Sequence, residues 1–182
     1  MRGVGAVMEA GRGPGGPCSC GRLLGTHRAR GVELRIRIAC AKDRDKLIRF
    51  YESLSLESIY TRFFGIVRYF DPYVDSLLRN SRAVVVVAEA PDGRVVGVAE
   101  AVGDERGYAE SGIAVLEDFR GMGVGTALGE AILRVSRECG FRKLYGYIMP
   151  ENRAAYRLAM KFGARVVRQY ESMYRIEFDL LA

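Results

Sequence analysis

The chain has 182 residues, a formal net charge of +6 and a hydrophobic fraction of 49%. This length allows one domain with a buried core, and no apolar run reaches the roughly 18 residues of a membrane-spanning helix. Residues 1–31 carry a net charge of +4, which leaves +2 for the remaining residues and argues against nucleic-acid binding by the folded part. The N-terminus lacks the apolar region of a signal peptide, so we expect a cytoplasmic protein.

Residues 1–31 are rich in glycine and arginine and offer little apolar surface to bury. We expect them to form a disordered arm, or to lie upstream of the true start, with one folded domain over residues 32–182. The four cysteines, Cys18, Cys20, Cys40 and Cys139, lack the spacing of a zinc site, so we expect free thiols and no metal. Arginine outnumbers lysine 24 to 4, through either base composition or a hot habitat.

The first half of the chain predicts one strand and three helices. Alternating apolar residues predict a strand from about residue 33 to 38, and helical spacing predicts a helix over residues 47–54. Ser55 is placed as the cap of a second, short helix. Asp71 and Pro72 are placed as the N-cap and first position of a third.

The second half predicts an antiparallel meander followed by alternating helices and strands. Three β-rich runs cover residues 83–90, 94–101 and 108–115, and a long helix over residues 123–140 ends at Gly140. A strand over residues 143–149, a helix over residues 152–162 that stops at Gly163, and two more strands follow. The predicted class is α/β (α+β): a mixed, mostly antiparallel sheet with helices on both faces and one parallel βαβ pair.

The segment FRGMGVGTAL, residues 119–128, places three glycines where the long helix begins. A helix start offers unpaired N–H groups and a partial positive charge, and bare backbone lets a phosphate or pyrophosphate approach them. The dinucleotide fingerprint fails, because Thr126 and Leu128 stand where its last glycine belongs, and no P-loop lysine follows. A turn that merely allows close packing remains the alternative.

The order of these motifs resembles the GNAT N-acetyltransferases. Their acyl-CoA motif matches Arg120, Gly123 and Gly125, and their next motif matches Asn152 with Lys161 and Gly163. The resemblance covers residues 33–178. Finer details, namely SLSLESIYTRFFG (53–65), Ala-Glu at 109–110 and LYGYIMPENRAAYRLAMKFG (144–163), are similar to the single-domain Pat-type protein lysine acetyltransferases.

The resemblance implies that acetyl-CoA is the acyl donor and that the sheet splays beside the strand at residues 111–115. The pyrophosphate is expected on the N–H groups of residues 122–126, with the pantetheine arm along the strand. Asn152 is expected to bond that arm, to cap its helix, or both. The implied cofactor-binding residues are Ile113, Ala114, Val115, Arg120, Gly121, Met122, Gly123, Val124, Gly125, Thr126 and Asn152.

The resemblance also implies a general base, because an amine must lose a proton before it attacks a thioester. Glu110 is the first candidate and Glu100 the second; an ordinary solvated carboxylate is the alternative reading of Glu110. The tyrosine that many GNAT enzymes use as general acid is replaced by Ala159, as in Pat-type sequences, and Tyr156 is expected to be a packing residue.

The acceptor is left open. A protein lysine is the first candidate, and analogy with relatives suggests a chromatin protein or an acyl-CoA synthetase as its carrier. A protein N-terminus or a small amine such as a polyamine is the alternative. Phe63 and Phe64, with Arg62, lie where GNAT enzymes usually shape the acceptor site, although core packing also explains the two rings. A silent acyl-CoA-binding regulatory module and nucleic-acid binding by the basic arm are the remaining hypotheses.

Overall fold

A computed structural model describes residue 16 and residues 18–181. Eight strands form one sheet in the order β1-β2-β3-β4-β5-β6-β8-β7. All neighbouring pairs are antiparallel except β5 and β6, which are parallel as the βαβ pattern predicts. The strands are β1 (Leu23–Ala29), β2 (Val32–Ile38), β3 (Ala83–Glu89), β4 (Val95–Gly103), β5 (Tyr108–Val115), β6 (Lys143–Ile148), β7 (Arg165–Gln169) and β8 (Tyr174–Asp179).

Five helices cover the two faces of this sheet, and the predicted mixed α/β class is confirmed. They are α1 (Arg44–Glu52), α2 (Leu56–Phe63), α3 (Asp71–Arg79), α4 (Val124–Glu138) and α5 (Arg153–Lys161). Successive residues of a strand point to opposite faces. On β4, Gly97 faces Leu128 of α4, whereas Glu100 bonds to side chains of α1, α2 and α3. The helices therefore sit with α1–α3 on one face and α4 on the other.

Two of the three predicted helix starts are confirmed and one is displaced. Ser55 caps α2, since its hydroxyl accepts a bond from the Ser58 N–H at 3.2 Å. Asn152 caps α5 through a bond from the Ala155 N–H at 3.1 Å. Asp71 is the first residue of α3 rather than its N-cap, and its carboxylate accepts from Arg44 at 3.3 Å. Charge pairing with α1 accounts for the acidic residue there.

The prediction of a disordered arm over residues 1–31, with the domain starting at residue 32, is wrong for residues 18–31. Strand β1 pairs with β2 through a tight turn in which Arg30 and Gly31 both have positive φ, as a type I′ hairpin requires. Composition gave no sign of this strand, because Ala29 is its only buried residue. Residues 1–15 and 17, which the same prediction included, lie outside the described residues.

The prediction of free thiols is also wrong, because all four cysteines pair in disulfides. Cys18 joins Cys139 across 121 residues, and Cys20 joins Cys40. The first bond ties the segment before β1 to the end of α4, and the second ties it to the end of β2. Sequence spacing could not reveal this pairing, because the fold alone brings the partners together. Covalent anchoring compensates for the small apolar surface of this segment.

A buried ion cluster joins β2, β3 and the start of α1. Arg37 donates to both carboxylate oxygens of Asp43 at 2.8 Å and also bonds Glu89, which accepts from Lys46 at 3.0 Å. Burial raises the pKa values of Asp43 and Glu89, but the bonds from Arg37 and the other donors outweigh it and lower both. The cluster therefore stabilises the fold in its ionised form.

We expect this cluster to make the protein acid-sensitive. The folded-state pKa of Asp43 lies below its unfolded value of about 4. The stabilisation of the fold by Asp43 is therefore present above about pH 4 and is lost as the pH falls towards the folded-state pKa. Asp43→Asn should cost about 2 kcal/mol of unfolding free energy at pH 7 and much less at pH 3, as measured by urea denaturation. The exposed Asp45→Asn is the control, and a cost independent of pH would contradict the assignment.

Candidate active site

A cleft of about 570 Å³ opens where β5 and β6 separate. The two strands pair only from Tyr108–Lys143 to Glu110–Tyr145, and beyond that point each pairs only with its outer neighbour. The hydrophobic core divides near the same place. The large cluster lies under β1–β5 and extends to Leu144 at the start of β6, whereas Ile148 of β6 and Ile176 of β8 belong to a small separate cluster. The splay that the family resemblance implied is therefore present.

The glycine turn forms one end of this cleft. Gly121 and Gly123 have φ values of 70° and 81°, which a side chain would strain, and α4 begins directly after them at Val124. The N–H groups of Gly121, Met122 and Gly123 have no hydrogen-bond partner among the described residues. Together with the unpaired first turn of α4, they form a cradle of donors that fits a pyrophosphate.

Most of the predicted cofactor-binding residues line the cleft, and a few offer it only backbone. The lining includes Ile113, Ala114, Val115, Arg120, Gly121, Gly125 and Asn152. At Gly125 an added Cβ would lie 3.6 Å from the Leu158 side chain, which is an ordinary van der Waals contact rather than a clash. Met122, Gly123, Val124 and Thr126 are not in the lining, and the side chain of Val124 is buried. Any ligand contact of these four residues is therefore expected through their N–H groups.

The Arg120 side chain is held by hydrogen bonds to neighbouring residues and is not free beside the glycine turn. Its Nε donates to the Val115 carbonyl at 3.0 Å, and its Nη2 donates to the Ser58 hydroxyl at 2.7 Å and lies 3.4 Å from the Glu117 carboxylate. Burial raises the pKa of Glu117, but bonds from Ser58 and Ser55 outweigh it and lower the value to about 2. Arg120 and Glu117 thus join the turn to the start of α2, and a phosphate contact by Arg120 stays a prediction.

Glu110 lies at the point where the strands separate. It is the last residue of β5 that pairs with β6, it is exposed, and it borders the cleft. No described residue forms a hydrogen bond or ion pair with its carboxylate, so no group among these residues competes for its oxygens. Its partner across the strands is Tyr145, whose pKa is raised by burial and then by the negative charge of Glu110.

Glu100 lies on the same face of the sheet as Glu110 but is buried, with 2% of its surface exposed. Its carboxylate accepts bonds from Tyr51 at 2.5 Å, from Arg62 at 2.8 Å and from Tyr73. Burial, and then the charge of Glu100, raises the pKa values of both tyrosines, which keeps them protonated as donors. Glu100 does not line the cleft, and its three donors make it the anchor of a buried cluster.

Arg62 connects this buried cluster to the cleft. Its guanidinium lies directly over the backbone of Gly112, where an added Cβ would be 2.4 Å from the Arg62 Cζ. A side chain at position 112 would therefore displace the guanidinium. The Arg62 Nε is buried without a partner among the described residues, and the side chain borders the cleft. Nothing in the sequence indicates that Tyr51 bonds to Glu100, because the residues of this cluster come from four separate elements.

Aromatic residues form another part of the cleft lining. Tyr147 contacts Phe64 edge to face at 6.4 Å, and Arg175 lies over the rings of Tyr145 and Tyr147 at 4.5 and 5.9 Å. Phe64 borders the cleft, whereas its neighbour Phe63 packs inside against the Glu100 cluster tyrosines. Core packing therefore accounts for Phe63, whereas an acceptor-site role for Phe64, which borders the cleft, stays a prediction.

Position 159, where many GNAT enzymes carry a tyrosine as general acid, holds no hydroxyl. Ala159 is buried in the smaller hydrophobic cluster, and Tyr156 packs against Tyr174 at 5.8 Å, in line with the packing role expected for it. Over residue 16 and residues 18–181, no cluster of histidine, cysteine or carboxylate side chains could hold a metal ion. None of the helices in these residues is long and apolar enough to cross a membrane.

Comparison with known proteins identifies the class to which this fold and cleft belong. The model of the acetyltransferase (GNAT) family matches residues 54–164, and the chain belongs to this family. A Pseudomonas aeruginosa acetyltransferase is 28% identical over 140 residues, which cover 73% of this chain and 75% of that protein. The protein is therefore an acyltransferase, and acetyl-CoA, which the family uses, is its acyl donor.

Two solved structures show the same fold. The GNAT domain of S. lividans PAT has a TM-score of 0.76 and 27% identity, and the match covers 85% of this chain and 96% of that one. The Salmonella typhimurium protein yncA, solved with acetyl-CoA, has a TM-score of 0.66 and 20% identity, with 81% and 94% covered. The resemblance to the Pat-type branch is thus confirmed at the level of the domain.

Proposed function

We propose that the protein transfers the acetyl group of acetyl-CoA to a lysine side chain of another protein, with Glu110 as general base. The observation that carries this proposal is the free carboxylate of Glu110 at the opening between β5 and β6. A base must be accessible and close to the incoming amine. Glu100 meets neither condition, because it is buried and its carboxylate already accepts hydrogen bonds from three side chains.

The roles of the remaining residues follow from the cleft. Acetyl-CoA supplies a thioester, whose acyl carbon the acceptor amine attacks. Glu110 takes the proton of the ammonium, directly or through a water, since a free lysine has a pKa near 10.4. We assign the stabilisation of the carbonyl oxygen that becomes negative to a backbone N–H near Ile113. Water protonates the departing thiolate, because position 159 carries no hydroxyl.

The lining of the cleft favours a lysine over a polyamine. Charged side chains of both signs border it in equal number: Glu57, Glu110 and Glu151 against Arg62, Arg120 and Arg153. A polyamine with several positive charges needs a net acidic pocket, whereas one lysine stem fits between aromatic rings. Similarity to the S. lividans PAT domain supports the same choice. A chromatin protein or an acyl-CoA synthetase is proposed as the acceptor by analogy alone.

An acceptor panel tests this proposal. We expect CoA release with a lysine-rich protein panel, and mass spectrometry should place the acetyl group on lysine side chains. Spermidine and a peptide with a free N-terminus and no lysine are the comparison acceptors, and a higher kcat/KM for either would select the small-amine or N-terminal alternative. CoA binding without transfer to any acceptor would select the silent regulatory module.

We also propose a cytoplasmic location, where acetyl-CoA is made. The two disulfides are unusual there, because cytosolic thiols are normally kept reduced, but intracellular proteins of hyperthermophiles are an exception. The excess of arginine over lysine agrees with a hot habitat. Nucleic-acid binding by residues 1–31 is the less favoured idea, since residues 18–31 are committed to the fold.

A further inference from the structure

We propose that His27 is a positioning residue for acetyl-CoA. From outside the cleft, His27 holds the glycine turn in the conformation that binds the pyrophosphate. His27 is the only histidine of the chain and lies on β1. Its Nε2 is 2.7 Å from the carbonyl oxygen of Met122, in the middle of the glycine turn. Since a carbonyl can only accept, the Nε2 carries the proton and donates it.

The strand that carries His27 is fixed along the whole of α4. Cys18 is bonded to Cys139, Arg22 pairs with Glu138 at 2.6 Å, and the Leu24 carbonyl accepts from Arg134 at 2.6 Å. Further along β1, the His27 contact reaches the start of the helix, and Arg30 donates to the Asp118 carbonyl at 3.2 Å. These contacts run in order from the end of α4 to its beginning. They hold β1 along the whole helix and so fix the position of the His27 imidazole.

The His27 bond changes what the turn can offer a ligand. The Met122 carbonyl could otherwise accept from the N–H of Thr126, four residues on, which would start the helix one residue earlier. Instead the first such bond runs from Ala127 to Gly123, at 3.0 Å. With the Met122 carbonyl held by His27, the Thr126 N–H stays available. The bond also fixes the Gly123 N–H, which points away from His27 because the trans peptide sets it opposite to the Met122 carbonyl.

Gly123 has a second purpose in this arrangement. An added Cβ would lie 3.0 Å from Cε1 and 3.2 Å from Nε2 of His27, in addition to the strain of its positive φ. A bare residue at position 123 therefore admits the imidazole on the outside of the turn. The glycine pattern of the acyl-CoA motif is read as backbone access for the ligand, but here one of its glycines also gives access to a side chain of β1.

The inference rests on the proposed binding of the pyrophosphate at the glycine turn. Equilibrium binding tests both that site and the positioning role of His27. We would titrate CoA and adenosine 3′-phosphate 5′-diphosphate, the half of CoA that carries the pyrophosphate, into the full chain. His27→Ala is expected to weaken both ligands by the same factor, about tenfold, because the lost orientation acts at the pyrophosphate. His27→Gln, which retains an N–H donor, should restore both to within threefold, and Thr26→Ala on the exposed side of β1 should change neither.

Several outcomes would overturn the positioning role. They are unchanged binding in His27→Ala, loss of CoA binding without loss for the diphosphate fragment, and failure of the glutamine to rescue. If the alanine variant does not fold, His27→Phe provides a variant that fills the same space without a hydrogen-bond donor. Equal affinities of the phenylalanine and glutamine variants would then contradict the positioning role. A wild-type protein that binds CoA but not the fragment overturns the pyrophosphate seat as well. Failure of lysine acetylation alone leaves the role of His27 standing.

Discussion

Glu110→Gln is expected to lower kcat by about a hundredfold to a thousandfold while leaving CoA affinity unchanged. The amide keeps the size and hydrogen-bonding reach of the carboxylate but cannot take a proton, and general bases typically contribute 10²–10⁴-fold. The side chain is exposed and bonded to no described residue, so the fold should not suffer. Thiol release with a lysine-bearing acceptor measures the rate, and calorimetric titration with CoA measures the affinity.

The exposed carboxylate of Glu130, on the outer side of α4, provides the matched control. Glu130→Gln makes the same change in charge at a site away from the cleft and should retain full activity. A Glu110→Gln enzyme with nearly normal kcat would reduce Glu110 to the solvated strand carboxylate that is its alternative reading. Loss of CoA affinity together with kcat would instead place Glu110 among the groups that shape the cleft.

The central part of the fold could be predicted because its signals are local. The alternation of apolar residues in β2, the Ser55 cap and the glycines after α4 and α5 each report on their own few residues, and the structure agrees with them. The ligand turn is local as well, since it is one glycine-rich segment between a strand and a helix. The turn can therefore be predicted from the sequence without knowledge of its packing.

What could not be predicted depends on contacts between distant segments. Strand β1 shows almost no apolar alternation and is held by a hairpin turn, two disulfides and polar bonds to α4, whose partners lie about a hundred residues away. The environment of Glu100 is a second case, because Tyr51, Arg62 and Tyr73 come from three different helices. The two glutamates look alike in the sequence, and only the fold makes one free and the other buried.

Glu100→Gln is accordingly expected to damage stability rather than chemistry. The variant leaves the Arg62 guanidinium without its counterion and offers two tyrosine hydroxyls a weaker acceptor. Removing one partner of a buried ion pair costs about 3 kcal/mol or more, which chemical denaturation would detect as a lower midpoint. Tyr73→Phe, which removes one donor and keeps the charge pair, should cost about 1 kcal/mol.

The activity of the same variant separates the two candidate bases. Measured under conditions where Glu100→Gln is folded, kcat should fall by less than tenfold, since Glu110 and the cleft remain. The residual loss has a structural cause: Arg62 also lies over Gly112 on β5, so a displaced guanidinium disturbs the strand beside the acyl site. A hundredfold loss of kcat at unchanged stability would transfer the role of base to Glu100. A loss of stability with retained kcat would show that the buried carboxylate holds α1, α2 and α3 on the sheet, and so shapes the acceptor side of the cleft.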